Sequence, residues 1–435
     1  MRRGPLVGFP LACYESREAV KKRGVVSDPG PLAPPERLLV KLAGRDGVRA
    51  SLADDRAVIE DPSTRARLIR LAMEHGIHGL VLRALVRSPL MGTLSLEIAQ
   101  ELTVEWNRLR RQAALWDLER DRLLSRLERE GLTPVILKGG ALRETAYGEP
   151  AERSLGDLDL LVSPAQLGPA QAALERAGYR TVGTEAMIEA YRLHHFDIPF
   201  AHANGFVVEI HWALSRARLG FQLDERAFLS RAVSRPRASG VALRVPSAED
   251  MILHLASQNE EDAFGRLRRL VDLDRVVAST PQLDWAYLGE AARQGGVQTF
   301  TALSLRLAQL ILDTPLPVGF VEGLAPSRLS RLNLTLLRPV SWVISEPARR
   351  SAAAGEVLLF WTTVGWRNRL RRYLVVAWPE ADPLAWMWER PAQNRRPPRR
   401  VWPLVKLVGY QLLVYGRGLA AALTTSGRRH LRFWT

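Results

Sequence analysis

The chain has 435 residues, 61 Lys+Arg against 46 Asp+Glu, and a formal charge of +15. That length accommodates two to three domains of ~150 residues each, and 47% hydrophobic with 25% charged residues excludes wholesale disorder and low-complexity architecture. A single cysteine, Cys13, excludes a disulfide scaffold and any cysteine-based zinc site, and it fits a reducing, cytoplasmic interior.

Residues 1–30 read as a loose leader. Their apolar run at 5–12 is at the lower limit of a signal h-region, and Pro10 stands where a lipobox would have Leu. Residues 31–131 read as a helical region. Across 65–86, Leu68, Leu71, Ala72, Ile77, Leu80, Val81 and Ala84 recur at helical spacing. From 94 to 131 a longer stripe of Ile98, Leu102, Trp106, Leu109, Ala113, Trp116, Leu123 and Leu127 runs among Arg and Glu, with Gly131 as a stop.

The pattern then shortens. Thr133-Pro-Val-Ile-Leu137 reads as a strand running into a tight turn at Lys138-Gly139-Gly140, and Leu158-Asp-Leu-Leu-Val162 as a second strand. Residues 164–178 read as a helix. Two further strand-like runs, 196–201 and 206–212, flank an Asn204-Gly205 turn and form a hairpin. Together they predict a small sheet domain over 132–245. Ser247-Ala-Glu-Asp250 resembles a capping box with Asp in place of Glu. Helical segments at 251–258, 265–280 and 299–312 then predict a helical domain over 246–335.

The C-terminal region, 336–435, is different. Residues 338–435 hold 17 Lys+Arg and 5 Asp+Glu, a net of +12, which leaves +3 for the first 337 residues. Eight of the twelve tryptophans fall there too. This Trp/Arg-rich tail has three open readings: a helical subdomain with Trp in its core, a peripheral contact with an anionic membrane surface, or a nucleic-acid contact. No transmembrane span is expected, because the most apolar stretch, 401–425, is broken by Lys406 and Arg417. Lysine occurs only at positions 21, 22, 41, 138 and 406, a bias that reads as GC-rich coding and makes Lys138 stand out.

The chemistry concentrates in 132–245. Strand residues i and i+2 share a face, so Asp157 and Asp159 project together, as do Glu209 and His211. Leu158, Leu160, Val208 and Ile210 then fill the opposite, buried side. Carboxylates from two strands suit a pair of Mg2+ ions held by hard oxygen ligands, the arrangement that clamps both oxygens of a phosphoryl displacement. Gly139-Gly140 lets backbone N–H groups approach a phosphate, and Lys138 and Arg153 would neutralise a triphosphate. Each piece has a bland reading: a solvated turn for Asp-x-Asp, a plain turn for Gly-Gly, an edge charge for Glu209. Their order, and an acid embedded in Phe-Val-Val-Glu-Ile-His-Trp, favour a site, since an unpaired acid there is costly to bury. His211 and His195 are weaker candidates for contact with an acceptor, and His194 and His202 read as surface or capping residues.

This order of Leu137-Lys-Gly-Gly140, Arg153, Gly156-Asp-Leu-Asp-Leu160 and Val207-Val-Glu-Ile-His211 resembles the polymerase-β-like nucleotidyltransferase superfamily. It is most similar to a branch of uncharacterised nucleotidyltransferases, over about 95–280. Pro246-Ser-Ala-Glu-Asp-Met-Ile-Leu-His-Leu255 and Arg266-Leu-Arg-Arg-Leu-Val-Asp-Leu273 look like that branch's helical segment. The resemblance implies an α+β fold: a small mixed-sheet nucleotidyltransferase core over 132–245, flanked by N-terminal and C-terminal helical regions. It implies an NTP substrate, with Gly139 and Gly140 at the triphosphate, Asp157 and Asp159 as metal ligands and Glu209 as the third carboxylate. The expected activity moves an NMP from an NTP to a hydroxyl or amine acceptor, with two Mg2+ ions and pyrophosphate release. Ala141 departs from the pattern, where a hydroxyl residue often follows Gly-Gly, and 16 residues separate Gly140 from Asp157, a long spacer. The alternative is a catalytically idle relative serving as a binding or assembly module, also at a membrane surface.

Overall fold

Helical periodicity and its interruptions shape the first part of the chain. A computed structural model describes residues 32–45, 47, 52–183, 196–215, 221–237, 240–261 and 264–324, with the pairs 343–344 and 367–368. The leader, His194, His195 and, apart from those pairs, the Trp/Arg-rich tail lie outside the described residues. Helices α1 (Pro34–Ala43), α2 (Arg56–Glu60), α3 (Pro62–Glu74), α4 (His78–Arg87) and the long α5 (Leu96–Arg129) come first. The helical spacing expected across 65–86 is carried by two helices, α3 and α4. Gly76 adopts φ +69°, and the N–H groups of Gly76 and Ile77 return to Met73 O and Ala72 O, a Schellman stop that outweighs the continuing apolar period. α5 ends the same way at the expected Gly131, with Leu132 N–H on Leu127 O at 2.9 Å. Its buried face carries the predicted Leu102, Trp106, Leu109, Ala113, Leu123 and Leu127.

One seven-stranded mixed sheet follows. Its strands are β1 (Val135–Ile136), β2 (Leu158–Leu161), β3 (Arg180–Thr181), β4 (Asp197–Ala201), β5 (Val207–His211), β6 (Val233–Pro236) and β7 (Ala242–Val245), in the spatial order β3-β4-β5-β2-β1-β7-β6. β2 pairs with β5 in parallel and with β1 antiparallel, and β1 pairs with β7 in parallel. The β4–β5 hairpin forms at the Asn204-Gly205 turn, where Gly205 has φ +85° and Asn204 Oδ1 accepts the Phe206 N–H. α6 (Lys138–Thr145) follows β1, α7 (Leu167–Arg176) follows β2, and α8 (Glu225–Arg231) precedes β6. Leu158, Leu160, Val208 and Ile210 are all buried, so the alternation read from the sequence sets which face meets the core.

The remaining described helices are α9 (Ala248–Glu261), α10 (Leu267–Ser279), α11 (Trp285–Gln294), α12 (Gln298–Leu312) and α13 (Phe320–Leu324). Helices therefore flank a mixed sheet on both sides in sequence, an α+β fold. A continuous hydrophobic cluster runs from Leu38 to Ile344 and takes in residues of the N-terminal helices, the sheet and the C-terminal helices. Among the described residues no helix is long and apolar enough to cross a membrane.

The expected box at the start of α9 forms only in half. Ser247 Oγ accepts the Asp250 N–H at 3.2 Å, but the Asp250 carboxylate is taken by a fork from Arg231 Nε (3.0 Å) and Nη2 (2.6 Å) and by Tyr287 OH (3.1 Å). Asp250 is fully buried, so it ties α8 and α11 to α9. Truncation of Asp250 to Ala is expected to lower unfolding free energy by about 2 kcal/mol and Tyr287→Phe by about 1 kcal/mol, as read by urea denaturation. Equal stability of Asp250→Ala and wild type would show that the fork contributes nothing.

Candidate functional site

The site starts at the centre of the sheet. β1 runs out into Leu137, whose N–H donates to Asp159 O at 3.0 Å, and the chain turns at once into α6. Lys138, the first residue of that helix, has φ +47°. A non-glycine residue there costs on the order of 1–3 kcal/mol and persists only where its surroundings hold it. Here the turn carries the Lys138 ammonium to 2.6 Å from Asp159 Oδ1.

Gly139 and Gly140 form the first turn of α6 rather than a free-standing turn. Their conformation is ordinary; space is what demands glycine. A Cβ on Gly140 would lie 2.7 Å from Ile136 Cγ2 and 3.0 Å from Leu158 Cδ1, and one on Gly139 would lie 2.7 Å from Leu155 Cδ2. α6 has no side-chain cap, so its first N–H groups remain donors for an anion.

The parallel register of β2 and β5 sets Asp159 directly beside Glu209. His211, two residues further along β5, donates from Nε2 to Asp159 Oδ1 at 2.8 Å and lies 3.5 Å from Glu209 Oε2. Burial alone would raise the Asp159 carboxyl, but the Lys138 ammonium and the His211 hydrogen bond hold it well below the usual carboxylate range. Burial opposes the charged imidazole of His211, yet its bonds to Asp159 and Glu209 carry it up to about 9. Asp157 goes the other way, pushed up by burial and by the neighbouring Asp159 and Glu209 carboxylates.

Asp159, Glu209 and His211 each bring one ligand atom to within 4.8 Å of the others, a group that could hold a metal ion. Asp157 stands outside that trio but within electrostatic reach of it. The donor set fits a hard divalent cation: adjacent carboxylates, a third acid made costly to ionise by its neighbours, and an ammonium already drawn to Asp159. The sequence reading gives His211 to Glu209 or to an acceptor; the structure buries it completely, against Asp159 and beside Glu209.

Arg153 also has protein partners. Expected at the triphosphate, it is buried, and its guanidinium is engaged by Asp272 of α10 (Nε–Oδ1 2.9 Å, Nη2–Oδ2 3.1 Å) and by Ser154 O (2.8 Å). His195 lies outside the described residues. His202 caps the hairpin turn, its Nδ1 accepting the Asn204 N–H at 3.3 Å.

Neither Asp272 of α10 nor His254 of α9 is among the candidate site residues read from the sequence. The signal for Asp272 was an acid inside the apolar run Leu270-Val-Asp-Leu273. His254 is fully buried, neither ring nitrogen has a partner among the described residues, and burial, with Lys138 and His211 nearby, keeps it neutral.

The sequence model of a protein family described as "Uncharacterised nucleotidyltransferase" matches residues 61–313, more than half of the chain and every residue of the site described above. No curated protein matches the chain.

Gly140→Ala is expected to cost about 1–3 kcal/mol in denaturation experiments, because Ile136 and Leu158 cannot both give way. Gly156→Ala, where an added Cβ meets nothing within 4 Å, should be near neutral. Acid should act through His254. Its folded-state pKa is depressed below the usual 6.5, so the unfolded chain binds the extra proton and stability falls as pH drops below about 6.5, by at most ~1.4 kcal/mol per pH unit. The stability difference between His254→Leu and wild type, measured from pH 7.5 to 5, should shift in favour of the variant as pH falls; a constant difference refutes the assignment.

Proposed function

The chain belongs to the uncharacterised nucleotidyltransferase family, and from that premise we propose that it moves an NMP from an NTP to a hydroxyl or amine acceptor, releasing pyrophosphate, with two Mg2+ ions. The observation that carries this reading is the pairing of Asp159 with Glu209 across parallel strands, with His211 against both and Lys138 already drawn to the acid. Asp157, Asp159 and Glu209 are the metal-binding carboxylates in this reading. A bound metal pair supplies charge stabilisation at the attacking and leaving oxygens.

The chain's own residues do the rest. Lys138 and the N–H groups of Gly139 and Gly140 receive the triphosphate at the start of α6, where the helix dipole also favours negative charge. His211 fixes the Asp159 carboxylate through its Nε2–H, and the fully buried ring keeps that orientation. Glu209, whose side chain is 24% exposed, has access to an incoming acceptor and takes its proton as the acceptor atom bonds to the α-phosphorus. The bond from that phosphorus to the bridging oxygen breaks, and pyrophosphate leaves past Lys138. Arg153 acts from behind the Gly-Gly turn rather than on the phosphates. Retention of all three acids weighs against a catalytically idle binding module.

ATP, CTP, GTP and UTP should be compared for Mg2+-dependent thermal stabilisation and for pyrophosphate release. At 100-fold excess over Kd the preferred NTP should raise Tm by about 5 °C. Asp157→Asn and Glu209→Gln should keep the fold and lose both the Mg2+-dependent part of that shift and the pyrophosphate signal. No shift and no pyrophosphate with any of the four sinks the enzyme reading.

A further inference from the structure

Asp272 of α10 is fully buried and far from the acids in sequence, yet it reaches both ends of α6. Just past the C-terminal end of that helix, Tyr147 OH donates to Asp272 Oδ1 at 2.6 Å. At the other end the link is Arg153. Its guanidinium meets Asp272 as a two-bond fork, donates from Nη1 to Ser154 O, and packs against the first turn of α6: a Cβ on Gly139 would sit 3.2 Å from both Arg153 Cζ and Nη1. A planar guanidinium held on one side by two parallel bonds has little freedom to shift on the other. The position of Gly139, and with it the left-handed Lys138 next to it, is therefore backed by a carboxylate from the C-terminal helices.

A buried ion pair is poor evidence for stability, because desolvation consumes most of its attraction and an apolar replacement often folds as well. Its geometric effect is harder to replace. We propose that Asp272 is a positioning residue: through Arg153 and Tyr147 it holds the first turn of α6 in the conformation that receives the NTP phosphates, so that the helical region sets nucleotide affinity from outside the sheet. The role in phosphate binding rests on the nucleotidyl-transfer reading; the hold on the turn does not.

The test replaces the pair with apolar residues of similar size, Arg153→Met/Asp272→Leu, with Tyr147→Phe as a milder variant that leaves the fork intact. Amide hydrogen exchange of the segment 138–141 is measured without nucleotide, and KM and kcat for the preferred NTP by pyrophosphate release. The double variant should melt cooperatively. Its 138–141 amides should exchange at least 10-fold faster than in wild type, while the amides of α12 keep their protection. KM should rise at least 10-fold with kcat changed less than 3-fold, and Tyr147→Phe should move both readouts in the same direction by a smaller factor. Exchange at 138–141 that is unchanged, or that rises equally in α12, overturns the hold on the turn and leaves the cluster as ordinary packing. Faster exchange with unchanged KM overturns its bearing on the nucleotide. If wild type turns over no NTP, the nucleotidyl-transfer reading fails, and the exchange arm still decides whether Asp272 holds the turn. Should the double variant fail to fold, Asp272→Glu, which keeps the charge but displaces it by one methylene, must show the same KM and exchange effects or the proposal falls.

Discussion

The structure turns on one buried carboxylate. Asp159 is 2% exposed, in the middle of a sheet, and ionised. Water does not solvate it, so protein cations must, and both that do so reach it by specific backbone devices. Lys138 arrives through a left-handed residue at the junction of β1 and α6, and His211 arrives because β5 runs parallel to β2 in a register that sets Asp159 beside Glu209. Shifting that register by one residue would turn Glu209 and His211 into the core and bring Val208 and Ile210 out. Close packing at Gly139 and Gly140 follows from the same need, since α6 must lie against Ile136 and Leu158 for Lys138 to reach its partner.

Much of this was legible in the sequence because it rests on local periods. The two-residue repeat around Asp157-Leu-Asp159 and Val208-Glu-Ile-His211 is enough to place acids on one face and aliphatics on the other, and the buried Leu158, Leu160, Val208 and Ile210 agree. The stripe of α5 and the Asn204-Gly205 hairpin are of the same kind. What escaped was non-local. Nothing near Arg153 announces that its partner lies 119 residues away, so an arginine close to the acids in sequence reads as a phosphate ligand. The same holds for Asp250, whose neighbours suggest a cap and whose partners are Arg231 and Tyr287. β3, β6 and β7 are two to four residues long, too short for any alternation to show, and β7 joins β1 in parallel only through the intervening chain. At Gly76 a left-handed stop overrode a period that continues on either side.

The use of cations separates structural roles from the role in the site. At two buried carboxylates shared between elements, this chain uses arginine in a fork: Arg153 on Asp272, Arg231 on Asp250. The guanidinium suits that task because its planar donors fix an angle as well as a distance. At Asp159 it uses one of its few lysines. A fork would claim both oxygens of that carboxylate and compete with His211 for Oδ1, whereas an ammonium on a flexible stem takes one lone pair and can swing aside. In the proposed reaction Asp159 would exchange that positive charge for a metal's, which suits this kind of partner. The +15 charge of the chain is thus a poor guide to its chemistry: +12 sits in the tail from residue 338 on, while the buried acid at the centre of the sheet is met by one lysine and one histidine.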